Sequence, residues 1–153
     1  MGLSFKCVTF NQLTLKELYA ILALRAEVFV VEQNCPFQDP DGQDLVAWHC
    51  LGTSESGQLL AYTRLFDKDV SFAGYASIGR VVTSPSARAT GMGKQLMQVS
   101  IDYCQQLFGP VPIKIGAQTY LLRFYESLGF VSTGKTYLED NIPHIKMVME
   151  SCI

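Results

Sequence analysis

The sequence has no excess of positive charge: its 153 residues carry 12 Lys and Arg against 14 Asp and Glu. Nothing like a basic field is on hand to neutralise many phosphates, so nucleic acid is not expected as a main partner. No stretch approaches the ~18 consecutive apolar residues of a membrane helix. Residues Met1 to Phe10 lack a basic leader followed by a long apolar run. The expectation is a soluble cytoplasmic protein with no membrane association. Cysteine is sparse and unpatterned. Cys7, Cys35, Cys50, Cys104 and Cys152 are odd in number, widely spaced, and form neither a CxxC pair nor a CxxH arrangement. That argues against a disulfide framework or a zinc site and for mostly buried thiols in a reducing compartment.

What is present is a folded chain. Hydrophobic residues make up 48% and charged residues 17%, which excludes intrinsic disorder. A length of 153 residues suits a single domain spanning 1–153, which would bury roughly 70% of its unfolded surface.

The pattern predicts a strand at Phe5–Phe10, then a helix opened by the capping-box spacing of Thr14 and Glu17. Leu15, Leu18, Tyr19, Leu22, Ala26, Phe29 and Val30 define its expected buried face. An acidic loop from Gln38 to Asp44 follows. Val46–Thr53 and Leu59–Phe66 read as a hairpin, and Tyr75–Thr83 as a strand in which Gly79 suggests a bulge or a close backbone approach. A helix from about Gly91 to Phe108 has Met92, Leu96, Val99, Tyr103 and Leu107 on one face. The remainder reads as a strand (Val111–Ala117), a helix (Thr119–Leu128), a strand (Phe130–Tyr137), a polar turn (Glu139–Pro143) and a last strand (Ile145–Met149). That order predicts an α+β or mixed-sheet α/β domain without repeats.

Ser84 to Gly93 joins a strand to an amphipathic helix. Free N–H groups and the positive helix end converge there, which suits an anion. Gly91 and Gly93 leave room for a bulky phosphate to reach the backbone, and Arg88 and Lys94 add cations. A loop that merely starts a helix would read the same way. A Walker loop is excluded, since it needs Gly at 88 and Ser or Thr at 95 where the chain has Arg88 and Gln95. A dinucleotide fingerprint from Gly91 fails at Leu96.

Arg88-x-x-Gly91-x-Gly93 after a strand resembles the coenzyme A pyrophosphate loop of the GNAT superfamily of N-acetyltransferases. Downstream, the run from Gln118 through Tyr125 to Gly129-Phe130 is similar to the helix and strand that complete a GNAT acyl-CoA site. Arg25 to Gln33, Cys35-Pro36, Asp41-Gly42 and Glu139-Asp140-x-Ile-Pro-His144 extend the resemblance, toward the ElaA-like branch, over nearly the whole chain. One departure is Gln118, where many members have a cofactor-contacting asparagine.

The resemblance implies a GNAT-like domain whose mixed, mostly antiparallel sheet has splayed central strands and flanking helices. It implies acetyl-CoA as acyl donor, a primary amine of a small molecule or peptide as acceptor, direct attack, and no metal. Val81, Val82 and Thr83 would bind pantetheine and polarise the thioester. Arg88, Ala89, Thr90, Gly91, Met92, Gly93 and Lys94 would hold the pyrophosphate, with Gln118 and Tyr125 completing the donor site. Tyr125 is the general acid that the resemblance implies, whereas pattern alone reads it as a packing residue beside Phe124. Glu32, Asp44, His49 and His144 compete for general base, His144 having the most suitable ordinary pKa. Arg25, Gln33 and His49 are candidates for acceptor recognition, and Arg25 could equally cap or solvate the helix end. The acidic loop containing Asp39, Asp41 and Asp44 could attract a cationic amine. A non-catalytic acyl-CoA-binding module and an acyl-homoserine-lactone synthase remain alternatives, and the protein is expected as a monomer or homodimer.

Overall fold

Two antiparallel sheets meet in a computed structural model that describes residues 2–151; Cys152 lies outside the described residues. The first contains β1 (Ser4–Thr9), β2 (Trp48–Thr53), β3 (Leu59–Phe66) and β4 (Ser77–Thr83), in that spatial order. The second contains β5 (Ile113–Gln118), β6 (Val131–Glu139) and β7 (Ile142–Met149), with β7 in the middle. Three α-helices, α1 (Leu15–Arg25), α2 (Met92–Phe108) and α3 (Leu122–Ser127), flank them. The result is the mixed α/β architecture that the pattern predicted.

Among the described residues, the sheets are joined by one parallel bridge, Ala76 to Ile113. It is closed by the Ala76 N–H donating to Pro112 O at 3.0 Å and the Lys114 N–H donating to Ala76 O at 2.9 Å. Beyond it β4 and β5 no longer pair, and the sheet opens into a wedge.

Each face of this split sheet has its own core. Leu96, Met97, Ser100, Ile101 and Cys104 are the buried residues of α2, and Met97, Ile101 and Cys104 pack with Leu65, Ile78, Ile115, Tyr125, Phe130 and Met147. The buried face is therefore rotated from the expected Met92–Leu107 stripe. A serine is accepted because Ser100 Oγ lies 2.7 Å from Thr63 Oγ1 and donates to Leu96 O. On the opposite face Ile21, Leu24 and Val28 pack on Leu51, Tyr62 and Val82. Burying each such aliphatic side chain stabilises by roughly 1.5–3 kcal/mol. Here too the expected face is corrected: Leu15 and Tyr19 are 86% and 79% exposed. Apolar residues encircle α1, so spacing alone admits several faces.

The capping box forms as expected, with the Glu17 N–H donating to Thr14 Oγ1 and the Thr14 N–H donating to Glu17 Oε1. After Arg25 the helix widens into a π-helical turn, Ala26–Glu32, a distortion common at functional sites.

Two boundaries move for identifiable reasons. β2 begins at Trp48, because Gln43–Val46 winds into a 3-10 turn after Gly42 (φ 81°). The polar turn expected over Glu139–Pro143 shrinks to Asp140 and Asn141, both left-handed (φ 52° and 63°), the two-residue geometry that matches strand twist. Pro143 is thereby drawn into β7, where β5 has already ended opposite His144 and no ladder bond needs its missing N–H on that side.

Candidate functional site

The wedge is a cleft of about 540 Å³, bounded by the diverging strands β4 and β5, the π-helical end of α1, the start of α2 and α3. Val81, Val82, Thr83, Arg88, Gly93, Gln118, Tyr125, Glu32, Gln33 and His144 all line it. Ala89, Thr90, Gly91, Met92 and Lys94 complete the turn at its edge without being part of the lining.

β4 carries the anticipated bulge. Tyr62 pairs with Val82 but Arg64 pairs with Gly79, so β4 holds one residue more than β3 over this interval. The left-handed residue is Arg80 (φ 48°), next to Gly79. A side chain in that region costs roughly 1–2 kcal/mol, so something else must hold it there.

The turn before α2 reverses through two left-handed residues, Ala89 (φ 65°) and Gly91 (φ 78°). Thr90 Oγ1 ties it down by donating to Ala87 O at 2.6 Å. α2 has no side-chain cap at Gly91, so its first N–H groups keep the anion-binding potential of a free helix end. Gly91 is needed for its backbone angle rather than for room within the protein, since a Cβ there would meet nothing within 4 Å. At Gly93 a Cβ would come 3.8 Å from the Phe124 ring, an ordinary contact.

Arg88 is already engaged: its two terminal nitrogens donate to Glu32 at 2.6 and 2.5 Å. The Arg88 guanidinium holds the Glu32 carboxyl below its ordinary value. In this pair Glu32 stands at the cleft wall as a carboxylate engaged by Arg88.

Tyr125 is 5% exposed and packs edge-on against Phe124 and Phe130. Burial first, then the neighbouring Tyr120, push its phenol above the ordinary 10.0. His144 is buried at the cleft wall with its ring stacked on Tyr137, centroids 5.6 Å apart. Its Nδ1 lies 2.7 Å from Ile142 O. A carbonyl can only accept, so in the neutral ring Nδ1 carries the proton and Nε2 holds the lone pair. Nε2 stands 3.8 Å from Glu139.

Arg25 and His49 are not brought to the cleft, which corrects both as acceptor-binding residues. Arg25 is fully buried. Its Nε donates to Asp39 at 2.8 Å and its NH1 donates to Asp44 at 2.7 Å. Arg64 donates to Asp44 (2.9 Å) and to Asp41 (2.7 Å). Arg80 donates to Asp39 (2.9 Å) and to Asp41 (3.4 Å). The contacts close into a ring of alternating charge, Arg25–Asp39–Arg80–Asp41–Arg64–Asp44 and back to Arg25. Burial opposes the charge of Asp44, but Arg25 and Arg64 outweigh it and leave the carboxyl below its ordinary value. Hydrogen bonding from Arg64 holds Asp41 far below the usual carboxylate range. His49 sits against this ring, 2.6 Å from Tyr62 Oη and 2.9 Å from Asp44 O, and burial lowers its pKa. The acidic loop is thus committed to internal arginines.

An acetyltransferase (GNAT) domain model matches residues 45–151. The chain is 42% identical to protein ElaA of Escherichia coli over 142 residues, covering 92% of each chain. An acyl-CoA N-acyltransferase from Pseudomonas aeruginosa superposes with a TM-score of 0.90 at 47% identity, covering 97% of this chain and 99% of that one. The structure of Escherichia coli ElaA gives 0.88 at 39% identity, with coverage of 97% and 99%.

The chain belongs to the GNAT family. Within it the chain falls in the ElaA-like branch. In a GNAT acyltransferase frame, the splayed β4 and β5 and the turn before α2 sit at the two ends of one cleft. Sequence reasoning missed Arg80, Phe37 and Tyr120 on the GNAT cleft wall. Arg80 directly follows the flagged Gly79, and Phe37 follows the flagged Cys35-Pro36 pair, so proximity was the available signal. No group of three or more His, Cys, Asp or Glu among the described residues is arranged to hold a metal ion. No described helix is long and apolar enough to cross a membrane.

Proposed function

We propose that the protein transfers an acyl group, acetyl foremost, from acyl-CoA to a primary amine of a small molecule or peptide by direct attack. The observation that carries this reading is the wedge between β4 and β5 lying in one cleft with the capless start of α2. The residues fit the donor. Arg88, Lys94 and the free N–H groups from Gly91 onward suit a pyrophosphate, and the backbone of Val81–Thr83 runs along the wedge to take pantetheine and polarise a thioester carbonyl. Acyl-CoA supplies an activated acyl carbon bonded to a good leaving group.

The chain supplies positioning and two proton movements. As the amine nitrogen bonds to the acyl carbon and the carbon–sulfur bond breaks, the amine proton passes to His144 Nε2, the nitrogen that the Ile142 carbonyl leaves basic. The sulfur takes its proton from Tyr125. A phenol of ordinary pKa gives a proton to a thiolate of pKa ~8.5 uphill by ~1.5 units, or ~2 kcal/mol. Burial makes Tyr125 a weaker acid still. It therefore stays protonated through neutral pH, the form that a proton donor needs.

The test is a mass-spectrometric screen of amine metabolites and peptides with acetyl-CoA. The expected result is an N-acetylated product with stoichiometric CoA release, slowed on the order of 100-fold by Tyr125→Phe. Tight CoA binding with no product from any amine would favour a non-catalytic acyl-CoA-binding module instead.

A further inference from the structure

We infer that Arg80 is a positioning residue: the Asp39–Arg80–Asp41 arc of the charge ring holds the β4 bulge in the conformation that sets the Val81 amide against the thioester. This rests on the acyl-CoA reading above. The backbone supplies the first argument. Gly79 could adopt a left-handed angle without steric cost, yet the positive φ falls on Arg80. A sequence that places the strain on an arginine beside an available glycine uses the side chain for something.

Its contacts say what. Arg80 Nε donates to Asp39 Oδ1 at 2.9 Å, NH2 donates to Asp39 O at 3.0 Å, and the guanidinium lies 5.8 Å from the centre of the Phe37 ring. Asp39 is itself immobilised, 4% exposed and held from its other oxygen by the fully buried Arg25. The anchor therefore belongs to the interior and the bulge to the cleft, with Arg80 as the strut between them. The competing role, a free cation for a substrate anion, is disfavoured because Asp39 and Asp41 already face the guanidinium.

The position of the bulge fits. Thr63 alone spans the interval in which β4 inserts its extra residue, and Gly79 through Thr83 all line the cleft. Strand pairing resumes at Val82, so a bulge that relaxed toward regular pairing would turn the intervening amides to new directions. Nothing in this places Arg80 on the reacting atoms; it acts through the backbone that follows it.

Backbone amide NMR of the full chain, titrated separately with CoA and acetyl-CoA, tests this without knowing the acceptor. In the wild type both probes should move the amides of Arg88–Lys94, and acetyl-CoA alone should further move Val81. Arg80→Ala should keep the CoA response, with affinity within about twofold, and lose the acetyl-specific response. With an amine taken from the screen, kcat should fall about tenfold or more while the KM for acetyl-CoA barely changes. Arg80→Gly, which relieves the backbone angle without the strut, should fall between the two, and Arg80→Lys should restore part of the acetyl response. Arg25 and Arg64 still pair with the aspartates in these variants, and Arg80→Lys keeps a cation in place should Arg80→Ala not fold. An Arg80→Ala protein that retains the acetyl-specific shifts, or that loses CoA affinity in parallel, overturns the inference. A wild type with no CoA response at Arg88–Lys94 overturns the acyl-CoA reading beneath it.

Discussion

Arg25 and Arg88 both end on carboxylates, with similar bond lengths, and they do opposite things. Arg25 has no exposed surface and shares two aspartates with two other arginines. Arg88 has a side chain 42% exposed and pairs with Glu32, itself 41% exposed. Water and salt compete for the second pair and scarcely reach the first. Burial, rather than the identity of the partners, makes one pair part of the framework and leaves the other open to exchange.

The strongest way to break this contrast is Arg25→Ala, which leaves three aspartates against two arginines, with Asp39 and Asp44 each reduced to a single partner. The expected loss is about 3–5 kcal/mol in urea unfolding, and a loss below about 1 kcal/mol would erase the distinction. Acid is the next probe. Asp41 and Asp44 are held below their ordinary 3.8 in the fold, so the stability they contribute is present above that value and drains as pH falls through their lower folded values. His49, lowered by burial from 6.5, acts in the same direction and begins to cost stability as pH drops below 6.5. The urea midpoint should therefore sag gently below pH 6.5 and steeply below about pH 4, and the share of the steep limb that comes from the buried Asp44 should survive about 0.5 M salt, while that of the more exposed Asp41 shrinks. A limb that salt abolishes would assign it to surface pairs.

Arg88→Ala should leave the unfolding midpoint in place while weakening CoA binding by about 1.5–3 kcal/mol, through loss of charge-assisted contacts. Calorimetry showing unchanged affinity would end the role given to Arg88. The smallest effect is expected from Glu32→Gln, which removes the competitor for the same guanidinium. CoA should bind slightly tighter, and weaker binding would show that Glu32 orients Arg88 rather than occupying it.

What the sequence revealed follows the range of the interactions. The Arg88–Lys94 turn is legible because its cations, glycines and helix start fall within a few residues, and the strand before it and the helix after it are strongly patterned. The capping box at Thr14 is legible for the same reason. The charge ring is not, because its members come from α1, an irregular loop, β3 and β4, and no local pattern pairs Arg25 with Asp39 or Asp39 with Arg80. That hidden pairing is why the acidic loop reads as an attractor for a cationic amine and Arg25 as a helix-end charge. Periodicity points to the wrong faces of α1 and α2 because the choice is one that only packing can make: Leu15 lies in water, and Ser100 enters the core because Thr63 is there to meet it. His144 shows a middle case, visible as a titratable residue but given its tautomer only by the Ile142 carbonyl two residues away.

A closed cycle has no terminal member. Each of the six ring residues touches two oppositely charged neighbours, so a lineage cannot begin replacing it from an end where the penalty is small. Any single substitution leaves one charge of the ring unbalanced and both neighbours with one partner each, and only concerted exchange of several members by apolar residues would reach a core of comparable stability. The six positions should therefore descend as one inherited character, retained or lost together, while Glu32 and Arg88 remain free to change one at a time.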